Sequence, residues 1–108
     1  MQGYQVTFFT QQNRRHGNAP IVDWLMEIAK SIGINGVTTM AGAEGIGRSG
    51  TLHSAHFFEL ADQPVEVTMA VTQAQCDSLF ARLEEEAANI FFAKTEVDFG
   101  VTGKPQAE

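Results

Sequence analysis

The chain predicts an α+β fold: a ferredoxin-like sandwich (βαβ-βαβ) with an extra hairpin strand and two helices on one face of an antiparallel sheet. Three observations predict it. Extended and helical stretches follow one another as strand, helix, strand and again strand, helix, strand. The stretch 65–71 alternates apolar and polar residues with a period of two, and two other stretches repeat apolar residues at helical spacing. A length of 108 residues provides for one core, so residues 1–100 are expected to form a single domain and 101–108 a mobile tail.

The elements follow in order. Tyr4 to Thr10 is aromatic and β-branched, as a strand requires. Gln11 to Gly17 is polar and reads as a loop. Pro20 suits the first turn of a helix, with Asn18 as its cap. Ile21, Leu25, Ile28 and Ile32 form the apolar stripe of that helix, and Gly33 ends it. Val37 to Ala41 reads as a second strand. His53 to Leu60 and Val65 to Val71 read as two more, joined by Ala61-Asp62-Gln63-Pro64. Thr72 followed by Gln75 matches a capping box and opens a second helix. Its stripe is Cys76, Leu79, Phe80, Leu83 and Ala87. A last strand runs from Ile90 to Phe99, with Phe91, Ala93, Val97 and Phe99 opposite Lys94, Glu96 and Asp98.

Phe8-Phe9, Phe57-Phe58 and Phe91-Phe92 are adjacent pairs in these strands, so the two members of each point to opposite faces. Apolar residues on both sheet faces imply that the face away from the helices is covered, and an oligomer covers it most simply.

A hydrophobic content of 44% and a formal charge of −6 describe a globular protein without the basic face of a nucleic-acid binder. No apolar run approaches the roughly 20 residues that span a bilayer. Residues 1–4 lack a signal-peptide pattern, and the lone Cys76 fits a reducing compartment, so a cytoplasmic location is expected.

Gly42 to Gly50 holds four glycines with Glu44, Arg48 and Ser49. Such a loop lets a ligand approach the main chain closely, or serves only as a hairpin connection. Arg48 is either a solvated loop residue or an anion clamp, its planar fork matching phosphate or carboxylate. Arg14, Arg15 and His16 are either a bare surface loop or cations contributed to a neighbouring subunit's cleft. Trp24 suits helix packing or an interface, and Glu84 to Glu86 a solvated helix face. His53 and His56 stand three apart on a strand, so they face opposite ways and make poor metal ligands. Cys76 lies on an apolar stripe, as a buried inert thiol does. No metal site or cofactor is expected. Nor is an enzyme, since neither a nucleophile with a base nor a carboxylate pair is found. Cofactor-free oxygenases of this fold are the distant alternative.

Gly33-Ile34-Asn35-Gly36-Val37-Thr38 followed by Gly45-Ile46-Gly47-Arg48 resembles PII signalling proteins, in which a G-x-x-G-x-T strand leads into G-F-G-R. Arg15-His16-Gly17, Pro20, His53 and the Leu60 to Val65 segment resemble more closely a small transporter-associated PII-like family. The likeness spans Tyr4 to about Phe99. It implies a cytoplasmic homotrimer with inward-facing sheets, a small anion or adenine nucleotide in the clefts between subunits, and a membrane transporter or an enzyme as partner. By that resemblance the ligand-binding residues are Thr38 near the adenine, Gly45, Ile46, Gly47 and Arg48 along the nucleotide, Ser49 in place of a glutamine, His53, and Arg15. The glycine-and-lysine loop that holds phosphates in PII proteins is replaced by Glu84-Glu85-Glu86-Ala87-Ala88-Asn89, and the C-terminal arginines are missing. A nucleotide with fewer than three phosphates is therefore expected. The alternative of a different class is a trimeric metal-tolerance protein of similar fold, with histidines at its interface.

Overall fold

The structure, a computed structural model, describes residues 1–42, 44–46, 52–54 and 63–103. The elements are β1 (Gln2–Gln11), β2 (Arg15–His16), β3 (Ala19–Pro20), α1 (Ile21–Ile32), β4 (Val37–Ala41), β5 (Glu44–Ile46), β6 (Leu52–Ser54), β7 (Pro64–Thr72), α2 (Gln73–Glu85) and β8 (Phe91–Asp98). Four strands form the main sheet in the order β4-β7-β1-β8, every neighbouring pair antiparallel. With both helices on one face, this is the ferredoxin-like arrangement that the element order predicts.

The period-two alternation sets the faces. Val6 and Phe8 of β1 and Val65, Val67, Met69 and Val71 of β7 are buried. They meet Ile21, Leu25, Ile28 and Ala29 of α1 and Cys76, Leu79 and Leu83 of α2 in one core cluster. Burying each large apolar side chain contributes about 1.5–3 kcal/mol. Gly3 is required where β1 meets β7, because a Cβ there would stand 2.0 Å from the Val71 carbonyl oxygen.

The ends of α1 and α2 share a geometry but not a residue type. Gly33 ends α1 with φ 89°, its N–H bonded to the Lys30 carbonyl and that of Ile34 to the Ala29 carbonyl. This is a Schellman motif with glycine in the left-handed position, as the sequence predicts. The end of α2 repeats the geometry, with Ala87 N–H bonded to Glu84 O and Ala88 N–H to Leu83 O, but the left-handed residue is Ala87, at φ 52°. That backbone costs an L-residue about 1–2 kcal/mol. The start of α2 is the predicted capping box, Thr72 and Gln75 each bonding the other's backbone N–H.

Several expectations are corrected. Gln11 to Gly17 is not all loop: Arg15–His16 pairs with Ala19–Pro20 around Gly17, whose φ of 62° makes the tight turn. Asn18 does not cap α1. Pro20 holds the N-cap position with no side-chain bond, and the Asn18 carbonyl instead accepts from Arg15. Within Gly42 to Gly50, Glu44–Ile46 is a strand paired with Leu52–Ser54. The remainder of the predicted strand His53 to Leu60 lies outside the described residues, as do Phe57 and Phe58. Ala87 lies beyond the helix and leaves the α2 stripe, because the left-handed turn swings it out to solvent. Among the described residues no helix is long and apolar enough to cross a membrane.

Candidate functional site

Three loops meet at one end of the main sheet. Gly42 N–H bonds the Pro64 carbonyl at 2.8 Å, and Gln63 Nε2 donates to the Gly42 carbonyl at 3.3 Å. The segment 43–62 thus leaves and re-enters the fold through a closed base. Gln12 N–H bonds the Gln63 carbonyl at 2.9 Å, which puts the β2–β3 turn beside that base. Arg14 Nη2 then donates to the Asn89 carbonyl at 2.5 Å, joining the same turn to the chain between α2 and β8.

The residues singled out in the sequence are distributed as follows. Thr38, exposed on β4, is the register partner of Thr68, which faces Thr7, which faces Ala93. These four lie on the sheet face away from the helices, and the hydroxyls of Thr7 and Thr68 are 3.1 Å apart. Gly45 and Ile46 belong to β5, and His53 to β6, where Gly45 is its register partner. Gly47, Arg48 and Ser49 lie outside the described residues. Arg15 stands on a different loop, with its guanidinium donating to Asn18 O on its own turn.

The same outer face carries exposed apolar side chains. Phe9 and Phe91 touch across β1 and β8 with ring centroids 5.6 Å apart, while Phe8 and Phe92 lie on the helix side. Met40 is 65% exposed and Phe91 54%. Each adjacent phenylalanine pair in β1 and β8 is therefore split between faces, as the sequence predicts.

Two clusters escaped the sequence reading. His16 stacks on Trp24 at 3.9 Å, its Nε2 lies 3.5 Å from Glu86 Oε1, and Glu86 Oε2 accepts from Arg82 Nε at 2.6 Å. Arg82 and Glu86 stand at the i,i+4 spacing of a helical ion pair, the one sequence signal that could have found the cluster. Glu86 is thus not a purely solvated helix residue, although Glu84 and Glu85 are exposed. The Arg82 hydrogen bond holds the Glu86 carboxyl below the usual carboxylate range, with His16 adding to the effect against a desolvation that opposes it. In the second cluster Lys94 Nζ sits over the rings of Tyr4, at 4.8 Å, and Phe80, at 5.3 Å. Nearby Cys76 is buried, and burial pushes its thiol up, as an inert core cysteine requires.

The fold has solved counterparts. A protein of Thermus thermophilus described as a PII-like signaling protein superposes with a TM-score of 0.65 at 16% identity, over 90% of this chain and 88% of that one. CPII, a nitrogen regulatory PII-like protein from Thiomonas intermedia solved with ADP, AMP and bicarbonate, gives 0.62 at 16% identity, over 90% and 89%. Its apo form gives 0.55 at 12% identity, over 90% and 92%. These likenesses establish a PII-like fold. No functionally curated protein matches the sequence. The family model described as "Uncharacterized ACR, COG1993" matches residues 3–98, and the chain accordingly belongs to the DUF190 family.

Proposed function

We propose that this chain is a non-catalytic PII-like regulatory protein: a homotrimer that binds a small anionic metabolite, an adenine nucleotide with fewer than three phosphates, in the clefts between its subunits. The observation that carries the reading is the outer sheet face, where Phe9, Phe91 and Met40 are exposed beside the Thr7–Thr68–Thr38 row. An exposed apolar patch on a sheet is stable when another copy covers it. With that face inward, Thr38 and the closed base of the 43–62 segment border the junction between copies. CPII, which shares the fold, is described with ADP, AMP and bicarbonate bound, so nucleotide and anion together support this ligand class.

In this reading Thr38, Gly45, Ile46, Gly47, Arg48, Ser49 and His53 hold the nucleotide, and Arg15 adds a cation from a neighbouring subunit. Arg48 clamps the phosphate with its two-pronged guanidinium. Ligand binding favours one arrangement of the 43–62 segment, and that arrangement is what a membrane transporter would read. The shift is limited by the difference in ligand affinity between the two arrangements. The test is calorimetric titration of the purified protein with AMP and ADP, beside Arg48→Ala, at a protein mass fixed by light scattering. Three chains per particle and a loss of binding in folded Arg48→Ala are expected. A monomer, or equal affinity in parent and variant, would overturn the assignment.

A further inference from the structure

We propose that His16 and Glu86 form a pH-sensitive latch that fixes the β2–β3 turn against the C-terminal end of α2. The proposal is independent of the ligand reading above. Three side-chain contacts tie the turn to the helices and to the chain after α2. Arg14 donates to the Asn89 carbonyl, a bond indifferent to pH near neutrality. The His16 ring stacks on Trp24 of α1 at 3.9 Å with an interplanar angle of 30°. The imidazole Nε2 lies 3.5 Å from Glu86 Oε1.

The third contact changes with protonation. Histidine is the side chain whose unperturbed charge changes between about pH 5 and 8. The charged groups around it are Glu86 on α2, Arg82 behind Glu86, and Arg14 and Arg15 in its own segment; Trp24 of α1 brings no charge. Protonated, the ring carries a positive charge facing a carboxylate, and the latch closes. Deprotonated, it keeps the stack and loses the ionic attraction. Arg82 holds Glu86 ionised below the usual carboxylate range, so the latch keeps its anion through the whole interval in which histidine titrates. Glu86 also sits directly before Ala87, whose left-handed φ of 52° is strained for an alanine.

Trp24 is the single tryptophan of the chain, so its fluorescence reads the contact directly. A protonated imidazole stacked on an indole quenches its emission. The experiment is a Trp24 titration from about pH 8 to 5 on the full-length protein, on His16→Phe, which keeps a ring against Trp24 but cannot titrate, and on Glu86→Gln. The backbone N–H of Ile21, bonded to Arg14 O at 2.8 Å, is followed by NMR in parallel as a reporter of the turn. Expected are one step of intensity loss on acidification, an Ile21 shift that accompanies it, no step in His16→Phe, and in Glu86→Gln no Ile21 shift, because the carboxylate that pulls the turn is gone. A flat parent curve, a step that persists in His16→Phe, an Ile21 shift that persists in Glu86→Gln, or a parent Ile21 resonance blind to the step would each overturn the latch. Glu86 lies outside the core, so Glu86→Gln keeps the test available should His16→Phe not fold.

Discussion

The hydroxyls of Thr7 and Thr68 lie 3.1 Å apart across β1 and β7, on the sheet face opposite α1 and α2. The same row runs out to Thr38 on one side and Ala93 on the other. Small polar side chains in the middle, with Met40, Glu66, Phe9 and Phe91 in register on the row beside them, make a surface that a second copy can approach closely.

If that face joins subunits, a charge placed in it separates them. Thr68→Lys is expected to convert the oligomer to monomer while leaving the circular dichroism intact, because Thr68 points away from the Val67–Met69 core side. Light scattering checks it; an unchanged particle mass in Thr68→Lys would place the subunit contact elsewhere.

Ala87 occupies a left-handed position where glycine carries no penalty. Ala87→Gly is expected to stabilise the fold by about 0.5–1 kcal/mol, the relief of the αL cost less the entropy that glycine loses on folding. For a domain of this size that is a rise of roughly 3–6 °C in Tm. The latch makes a further demand: relaxing the turn must not abolish the pH response of Trp24, since Glu86 remains.

Close approach at Gly3 gives the opposite sign. Gly3→Ala pushes a Cβ to 2.0 Å from the Val71 carbonyl oxygen, and backbone rather than a flexible side chain has to give way. A loss of about 3 kcal/mol or more is expected in denaturant unfolding. Thr72→Ala, which removes one half of the capping box, is expected to cost about 1 kcal/mol in the same assay.

Much of the fold was legible in the sequence because local signals and burial agreed there. Val65, Val67, Met69 and Val71 alternate cleanly and all four are buried. The Gly33 and Thr72–Gln75 signals specify their caps within one turn of chain. Where two distant segments decide the outcome, the sequence was silent. His16 and Glu86 are 70 positions apart in the numbering, and nothing in either neighbourhood announces the other. Lys94 read as the polar side of the last strand. It faces the helix layer instead, over Tyr4 and Phe80, because aromatic faces there accept a cation. Of the proposed ligand residues, the pairing of Gly45 with His53 follows from the β5–β6 ladder, whereas a strand of three residues inside a glycine-rich run carries no propensity signal of its own.

Acid should remove the Glu86 contribution to stability. Its carboxyl is depressed in the folded chain, chiefly by the Arg82 hydrogen bond. Such a group stabilises fully above the unfolded-chain value and loses its effect as pH falls through the lower folded value. The stability difference between the parent and Glu86→Gln is therefore expected to be largest near neutrality and to vanish in acid below the usual carboxylate range. Chemical denaturation at a series of pH values checks this; a constant difference would mean that Glu86 makes no net use of Arg82 and His16.

The central claim, a cleft between subunits that holds an adenine nucleotide of few phosphates, meets its most direct test in a thermal-shift series. AMP, ADP, ATP and cyclic AMP would be compared at one protein concentration, with and without magnesium. At about 100 times its dissociation constant a ligand adds roughly 2.7 kcal/mol to the native state, which for a domain of this size is a rise of the order of ten degrees. The account predicts that rise for AMP or ADP, a smaller one for ATP, and its loss in Arg48→Ala. No rise with any of the four, or a rise for ATP that exceeds the others, would contradict it.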